Sequence, residues 1–385
     1  MKSLELFAGA GGLGIGLHDA GFRPVNVIEW DSYCCDTIRE NKARGLHAVK
    51  NWKVTQGDVR KVDFKPYNGK IQLVSGGPPC QPFSLGGKHG AYDDVRDMFP
   101  QAIRAVRETR PQAFVFENVK GLTRNSFRNY FEYVRLQLEH PDIKAKRGED
   151  WANHFARLEQ HHTSGNRAGL NYRVVTQLVN AADHGIPQKR ERVFFVGFRE
   201  DLAVSWHFPL ATHSQDALIW DQLHGDYWDR HQIARKFRLC PKGSDRVSKQ
   251  DKPSERPWRT TRDALFGLPD PEFEHENSAI ILNHRFQSGA RSYKGHTGSP
   301  LDEPAKTLKA GVHGVPGGEN MLLRPDGSVR YFTVRESARL QTFPDDFLFH
   351  GSWGETMRQL GNAVPVDLAR VVGESVAEHL PRTAA

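Results

Sequence analysis

Cys80 stands in Gly76-Gly77-Pro78-Pro79-Cys80-Gln81-Pro82-Phe83-Ser84, directly after the apolar run Ile71-Gln72-Leu73-Val74. The run reads as a buried strand. Paired glycines and prolines cannot continue it, so they make a stiff turn with a thiol at its apex. A lone cysteine is as readily a small buried hydrophobe as a nucleophile. The prolines tilt that balance, because they fix φ, remove backbone donors and hold the Pro78 carbonyl in one direction. A thiol beside a fixed acceptor suits covalent attack on a planar substrate. A second apolar run, Gln112-Ala113-Phe114-Val115-Phe116, delivers Glu117-Asn118-Val119 to the same sheet edge. A carboxylate at a strand end beside a candidate nucleophile can do acid–base work. Arg190 and Arg192 alternate ahead of the strand Val193–Val196, a spacing that turns both side chains to one face.

Ligands of α/β sheets bind at the carboxyl ends of the strands. The chain opens with a short strand, Ser3–Phe7, then Ala8-Gly9-Ala10-Gly11-Gly12-Leu13-Gly14 and a helix to Ala20, closed by Gly21. Gly9, Gly11 and Gly14 form a GxGxxG turn that lets backbone approach a ligand at a helix N-terminus. The second strand, Arg23–Ile28, ends in Glu29-Trp30-Asp31. Glu29, twenty residues after Gly9, is placed for ribose hydroxyls, and Trp30 offers a flat face to adenine. Gln56–Val59 reads as a third strand end, where Asp58 can accept from an adenine amino group. The glycine turn and Glu29 alone fit NAD, FAD or S-adenosylmethionine.

A length of 385 residues with 38% hydrophobic and 26% charged residues describes a soluble globular protein with one large core and a smaller one. No apolar run suits a membrane span, and MKSLELFAGA has no signal-peptide core, so a cytoplasmic protein is expected. The four cysteines, Cys34, Cys35, Cys80 and Cys240, show no CxxC spacing, and neither a metal site nor a disulfide framework is expected. The net charge is +7. Residues Asp229–Arg262 hold eleven Lys/Arg against four Asp/Glu, a surplus equal to that of the whole chain. A polyanionic partner or a solvated basic loop would each account for it.

Asp97–Arg107 reads as a helix. Phe127, Tyr130, Phe131, Val134 and Leu138 keep helical spacing and read as core. His140–Ala168 is polar and charged, a surface insertion, and Tyr172–Val179 is a further strand. From Phe198 the strand–helix alternation gives way to Gly, Pro, Trp, His and basic residues. Order returns in a helix at Thr333–Gln341 and in a final amphipathic helix after Gly361-Asn362-Ala363-Val364-Pro365. The expected domains are 1–197, 198–349 and a returning segment, 350–385.

The motifs FAGAGG, IEWD, GDV, GGPPCQPFS, ENV, GIPQKRERVFFVG, RESARLQTFPDDF and GNAVP follow one another from Phe7 to Pro365. In this order the chain resembles the DNA (cytosine-5) methyltransferases of the bacterial restriction–modification type. The resemblance implies an α/β fold: a Rossmann-like, mostly parallel sheet that binds S-adenosylmethionine, with a smaller loop-rich target-recognition domain across a DNA-binding cleft. It implies methyl transfer to C5 of a cytosine rotated out of double-stranded DNA, leaving S-adenosylhomocysteine. Cys80 would add to C6. Glu117 would bind N3 and the exocyclic amine, Arg192 would contact O2 and hold Glu117, and the Pro78 carbonyl would accept from the amine. Arg190 would position Cys80 or a phosphate. Phe7, Ala8, Gly9, Gly11, Gly12, Leu13, Glu29, Trp30, Asp58, Val59, Pro79, Asn362 and Ala363 would line the cofactor. Gln81, Ser84, Lys88 and His89 would meet DNA from a loop, Gln81–Asp97, that closes over the flipped base. A monomer is expected, with a cognate restriction endonuclease acting separately. A nicotinamide dehydrogenase shares GxGxxG but leaves the Pro-Pro-Cys turn and the closing GNAVP helix without a role. An inactive DNA-binding relative would not need Cys80, Glu117 and Arg192 together. A tRNA methyltransferase of the same superfamily is the nearest rival, against which the long basic second domain favours duplex DNA.

Arg235, Lys236 and Arg238 should contact phosphates, whereas Arg285, Arg291 and Lys294 in the glycine-rich stretch Asn283–Asn320 should read bases. Binding to specific and random duplexes across a salt series separates the classes. Neutralising the first group weakens both duplexes and flattens the salt slope by roughly one unit per lost contact. Arg291→Ala costs about 1–3 kcal/mol on the specific duplex only, if it makes a bidentate base contact.

Overall fold

Seven short apolar runs become the strands of one sheet: β1 (Lys2–Leu6), β2 (Arg23–Glu29), β3 (Val54–Gln56), β4 (Leu73–Gly76), β5 (Ala113–Val119), β6 (Tyr172–Asn180) and, after a two-residue β7 (Gln188–Lys189), β8 (Glu191–Arg199). The computed structural model describes residues 1–80, 97–165, 168–311 and 320–381. The expected loop Gln81–Asp97 lies outside them except for Asp97, and so do Gln81, Ser84, Lys88 and His89. The strand order is β3-β2-β1-β4-β5-β8-β6. β2 and β4 flank β1 in parallel, β3 and β5 extend the parallel run, and β8 pairs antiparallel with β5. The order reverses between β1 and β4, where an open sheet leaves a crevice at its carboxyl edge. β4 is wholly buried and β5 buried over all but its last residue, as strands covered on both faces must be.

Two compact units divide the chain. The first comprises Met1–Val179, Glu191–Phe208 and Ala369–Ala385, and the second Asn180–Arg190 and Pro209–Leu368. These limits differ from the expected ones at 197 and 349 for local reasons. Asn180–Arg190 belongs to the second unit because β7 pairs with Ala305–Lys306 and Ala182 packs with Leu218, Tyr227, Trp228 and Trp258. Residues beyond Phe198 stay with the first unit because Trp206 stacks edge-on against Phe208 and its indole donates to Ser375 Oγ at 3.0 Å.

In the first unit, helices α1 (Gly12–Asp19), α2 (Ser32–Ala43), α3 (Phe99–Thr109), α4 (Arg128–Glu139) and α5 (Trp151–Thr163) accompany the sheet. Its core gathers Leu4, Leu6, Val74, Phe99, Phe114, Phe116, Tyr130 and Phe195. Glycine permits two close approaches. A Cβ on Gly76 would lie 2.3 Å from the Leu6 carbonyl of the neighbouring strand, and one on Gly14 would lie 2.8 Å from the Trp52 ring. The segment read as a plain surface insertion contains α5. Trp151 and Phe155 pack their rings against Tyr133 of α4, and Tyr133 bonds His154 at 2.8 Å.

The second unit is built of short pieces, as expected from its turn residues. Ser299–Pro300, Met321–Leu323 and Val329–Tyr331 form a three-stranded sheet. The motif around Arg335 serves the fold here. Thr333 and Glu336 close a capping box on the helix Val334–Leu340, Glu336 pairs with buried Arg330 at 2.6 Å, and Arg335 donates to the Pro344 and Phe347 carbonyls. Among the described residues no helix is long and apolar enough to cross a membrane.

Glu5 lies in register with Ser75 on β1 and β4 and accepts from its hydroxyl, although it is almost wholly buried. Burial pushes its carboxyl up to about 8. The fold therefore favours the neutral acid, and the benefit is complete below the ordinary carboxylate range and lost as pH rises toward 8. Thermal unfolding should show it: between pH 5 and 8 the wild type loses stability relative to Glu5→Gln, by up to roughly 1.4 kcal/mol per unit. A difference independent of pH would show that Glu5 ionises freely.

Candidate active site

Glu117 closes β5 and Arg192 opens β8. In the antiparallel register Val119 faces Arg192 and Glu117 faces Phe194. Glu117 and Arg192 are therefore diagonal neighbours on one face, within reach of long side chains. Arg192 Nε lies 2.8 Å from Glu117 Oε1, with both side chains about nine-tenths buried. Burial pulls the Arg192 guanidinium down from its ordinary value, and the adjoining carboxylate opposes that shift. The planar cation holds the carboxylate from one side and fixes its orientation. The approach is close: a Cβ on Gly77 would stand 3.3 Å from Glu117 Oε2.

The Pro-Pro-Cys turn leaves β4 one strand away, where Gly76 is in register with Phe116. Asn118, which points to the opposite face from Glu117, donates its amide to the Pro78 carbonyl at 2.9 Å. Its own Oδ1 accepts from the Val119 amide at 2.9 Å. Pro79 is exposed, and its carbonyl accepts from the Met98 amide at 2.9 Å. Cys80 is buried, with Sγ 3.7 Å from Tyr130 Oη, and the Tyr130 hydroxyl donates to Asp97 Oδ2 at 2.5 Å. Burial, then Asp97 and Cys80, raise the Tyr130 hydroxyl far above its ordinary range, so it stays protonated. Sequence reading placed Tyr130 only in the core and gave Asn118 no role. A tyrosine rather than a phenylalanine at a core position was the available signal, because a buried hydroxyl needs a partner.

Arg190 departs from its expected place. It lies in the second unit, is fully buried, and donates to the carbonyls of Leu308 at 3.2 Å and of Gly361 and Ala363 at 2.8 Å. It anchors the segment leading to the last helix, Val366–Glu378, and is not open to a phosphate. The two-residue spacing to Arg192 does not put both on one strand face, because Arg190 falls between β7 and β8.

The β1–α1 turn is shaped by backbone. Phe7 takes φ 53°, Gly9 55° and Gly11 93°, a left-handed series that glycine tolerates and Phe7 must be held in. The Gly9 amide donates to Glu29 Oε2 at 2.7 Å, and the Asp31 amide to Oε1 at 2.8 Å. Glu29 is thereby fixed with lone pairs to spare. Trp30 is 66% exposed. A Cβ on Gly9 or Gly57 would meet nothing within 4 Å, so the backbone here borders open space. Ala8, Gly11, Gly12, Leu13 and Val59 are buried, and could meet a ligand only through their main chain. Asp58 caps a short turn and pairs with Arg60 at 2.7 Å, which holds its carboxyl below the usual range. These groups fit a nucleoside: a fixed carboxylate for hydroxyls, an exposed aromatic face and an acidic rim. Asn362, exposed, and Ala363 lie in the second unit.

Of the basic residues expected to meet DNA, Arg235 and Lys236 are exposed, with Phe237 beside them 62% exposed. Arg238 is already paired with Asp229 and donates to the Ile233 carbonyl at 2.9 Å, so its charge is compensated within the unit. Arg285, Arg291 and Lys294 are exposed, and Arg285 borders a pocket of about 520 Å³ with Phe286, Asn283 and Trp353.

The model of the C-5 cytosine-specific DNA methylases matches residues 1–142 and 163–378. Type II methyltransferase M.PspPI of a Psychrobacter strain is 31% identical over 98% of this chain and 79% of its own length. Type II methyltransferase M.NgoMIV of Neisseria gonorrhoeae is 31% identical over 99% and 98%. Among solved structures, a DNA modification methyltransferase encoded within an E. coli prophage superposes with TM-score 0.60 at 22% identity, covering 98% of this chain and 99% of that one. The S. pombe Dnmt2 methyltransferase superposes with TM-score 0.56 at 17% identity, covering 98% of each, and both comparisons concern the fold alone. With the mostly parallel sheet, the glycine turn and the buried Glu117–Arg192 pair, the match along nearly the whole chain means that it belongs to the C-5 cytosine-specific DNA methylases, enzymes that methylate C5 of cytosine in DNA from S-adenosylmethionine.

Proposed function

We propose that Cys80, Glu117 and Arg192 carry this reaction on a cytosine rotated out of duplex DNA, and that the buried Glu117–Arg192 pair beside the Pro-Pro-Cys turn is the observation that supports it most. A stacked base exposes neither C6 nor C5 to a protein group, so the base must leave the helix at a cost of a few kcal/mol. The Cys80 thiolate forms a bond to C6, and the ring electrons move toward N3. Glu117, protonated as the base enters, delivers its proton to N3 as that charge develops and takes it back when the Cys80–C6 bond breaks, and Arg192 keeps the carboxyl oriented and meets O2. C5, now enamine-like, takes the methyl group; its proton is then lost to a base and the Cys80–C6 bond breaks, restoring the thiolate. S-Adenosylmethionine, when bound by the β1–α1 turn, Glu29, Trp30 and Asp58, supplies the electrophilic methyl and departs as S-adenosylhomocysteine. The Pro78 carbonyl, oriented by Asn118, has a second lone pair for the cytosine amine. The Tyr130–Asp97 pair holds the thiol in its resting position.

We assign the first unit to catalysis and cofactor binding and the second to target recognition, with exposed Arg235 and Lys236 on phosphates and Arg285, Arg291 and Lys294 toward bases. The substrate is double-stranded DNA, and the chain works as a cytoplasmic monomer, any cognate endonuclease acting apart from it.

DNA with 5-fluorocytosine at the target traps a covalent nucleophile, because fluorine cannot leave as a proton. Wild type should give an adduct that survives denaturation, and Cys80→Ser should give none while still binding DNA. An adduct with Cys80→Ser would assign the attack to another residue.

A double-mutant cycle weighs the ion pair. Arg192→Ala leaves the buried Glu117 carboxylate without this counter-charge, and should cost about 3–5 kcal/mol in chemical denaturation. Adding Glu117→Gln should recover much of that loss, since no charge then remains buried. Additive losses would mean that the two side chains do not depend on each other.

A further inference from the structure

We propose a second site in the first unit: a divalent transition-metal site of the zinc class, built by Glu139 and His140 at the end of α4 and His162 at the end of α5. His162 Nδ1 lies 3.2 Å from Glu139 Oε2 and 3.1 Å from His140 Nε2. One ligand atom from each residue falls within 4.8 Å of the other two. An ion with metal–ligand bonds of 2.0–2.1 Å in tetrahedral geometry needs its ligands roughly 3.3 Å apart. Two imidazoles and a carboxylate at nearly that spacing form a donor set suited to Zn²⁺.

The surroundings prepare the site. Asn171 donates its Nδ2 to the Gly169 carbonyl at 3.3 Å, which turns Oδ1 toward His140 Nδ1 at 2.8 Å. His140 Nδ1 must then carry the hydrogen, and Nε2 presents its lone pair to the ion, the outer-sphere arrangement that metal-bound histidines adopt. Arg135 engages the other oxygen of Glu139 and so directs Oε2 inward. Both Glu139 and His140 are buried. The His161 ring packs edge-on 4.9 Å from His140, and its Nε2 is buried with no hydrogen-bond partner among the described residues. His161 or a water supplies the fourth ligand.

The family model matches residues 1–142 and 163–378, so α5 up to His162 falls in the stretch it leaves out. The ion would clamp this added helix to α4. The clamp sits nine residues from Tyr130, about 13 Å along the helix axis, and is separate from the thiol. Cysteine spacing could not reveal it, because its ligands are two histidines and a glutamate.

The test uses the whole chain, stripped with chelator and titrated with Zn²⁺ by calorimetry and with Co²⁺ by visible absorption. Wild type should bind one Zn²⁺, unfold at a higher temperature with it, and give the ligand-field band of tetrahedral Co²⁺ without thiolate charge transfer. Asn171→Ala should weaken Zn²⁺ by about 10–100-fold, as loss of an outer-sphere partner does, and His162→Gln should weaken it further. No Zn²⁺ uptake by wild type overturns the proposal. So does thiolate charge transfer, which would place the ion on a cysteine such as exposed Cys240, or equal affinity in wild type and both variants.

Discussion

The site depends on one buried ion pair. Removing a carboxylate and a guanidinium from water costs several kcal/mol for each ion, and the attraction between them offsets this only when geometry is good. The antiparallel pairing of β5 with β8 supplies that geometry at 2.8 Å. A parallel strand at the same position would send its start to the opposite edge of the sheet. Arg192 at the first turn-in of β8 meets Glu117 at the end of β5 because the two strands run in opposite directions. The reversed strand in an otherwise parallel run is thus tied to the chemistry. Glu117 is thereby held in one orientation at the strand end.

Around that pair, glycine and proline control distance. Gly77 admits the carboxylate, Gly76 lets β1 and β4 close together, and the Pro78 carbonyl is oriented by Asn118. The same economy of side chains shapes the β1–α1 turn, where Glu29 is fixed by two backbone amides and leaves Trp30 exposed. Arg190 and Arg335, both fully buried, hold chain segments of the second unit through carbonyls. They show that an arginine in a strong motif can serve the fold alone.

Much of this was legible in the sequence because it depends on local signals. Apolar runs ended by glycine, proline or an acidic residue mark β1, β2, β4 and β5 and put Glu29, Cys80 and Glu117 at their ends. Alternation read for Arg190 and Arg192 failed at Arg190, because a break between β7 and β8 removes it from the strand. Helical periodicity found the stripe containing Tyr130 but not its hydroxyl's partners, which come from Cys80 and Asp97, distant in sequence. The polarity of 140–168 hid α5, which buries only His154 and Leu158 and packs the half-buried rings of Trp151 and Phe155 against Tyr133. Arg238 looked like a free cation until its pairing with Asp229 was visible, since ion pairs across a turn leave no periodic trace.

The central claim is that the Glu117 carboxyl, held by Arg192, activates cytosine for methyl transfer. Bisulfite sequencing of plasmid DNA from strains expressing wild type or Glu117→Gln tests it most directly. Wild type should protect cytosines from conversion at one recurring sequence context, and those cytosines should convert with Glu117→Gln expressed to the same soluble level and still binding cofactor, a control needed because the change leaves Arg192 buried without its counter-charge. Equal protection with the variant would contradict it, because a neutral amide at that position cannot give a proton to N3.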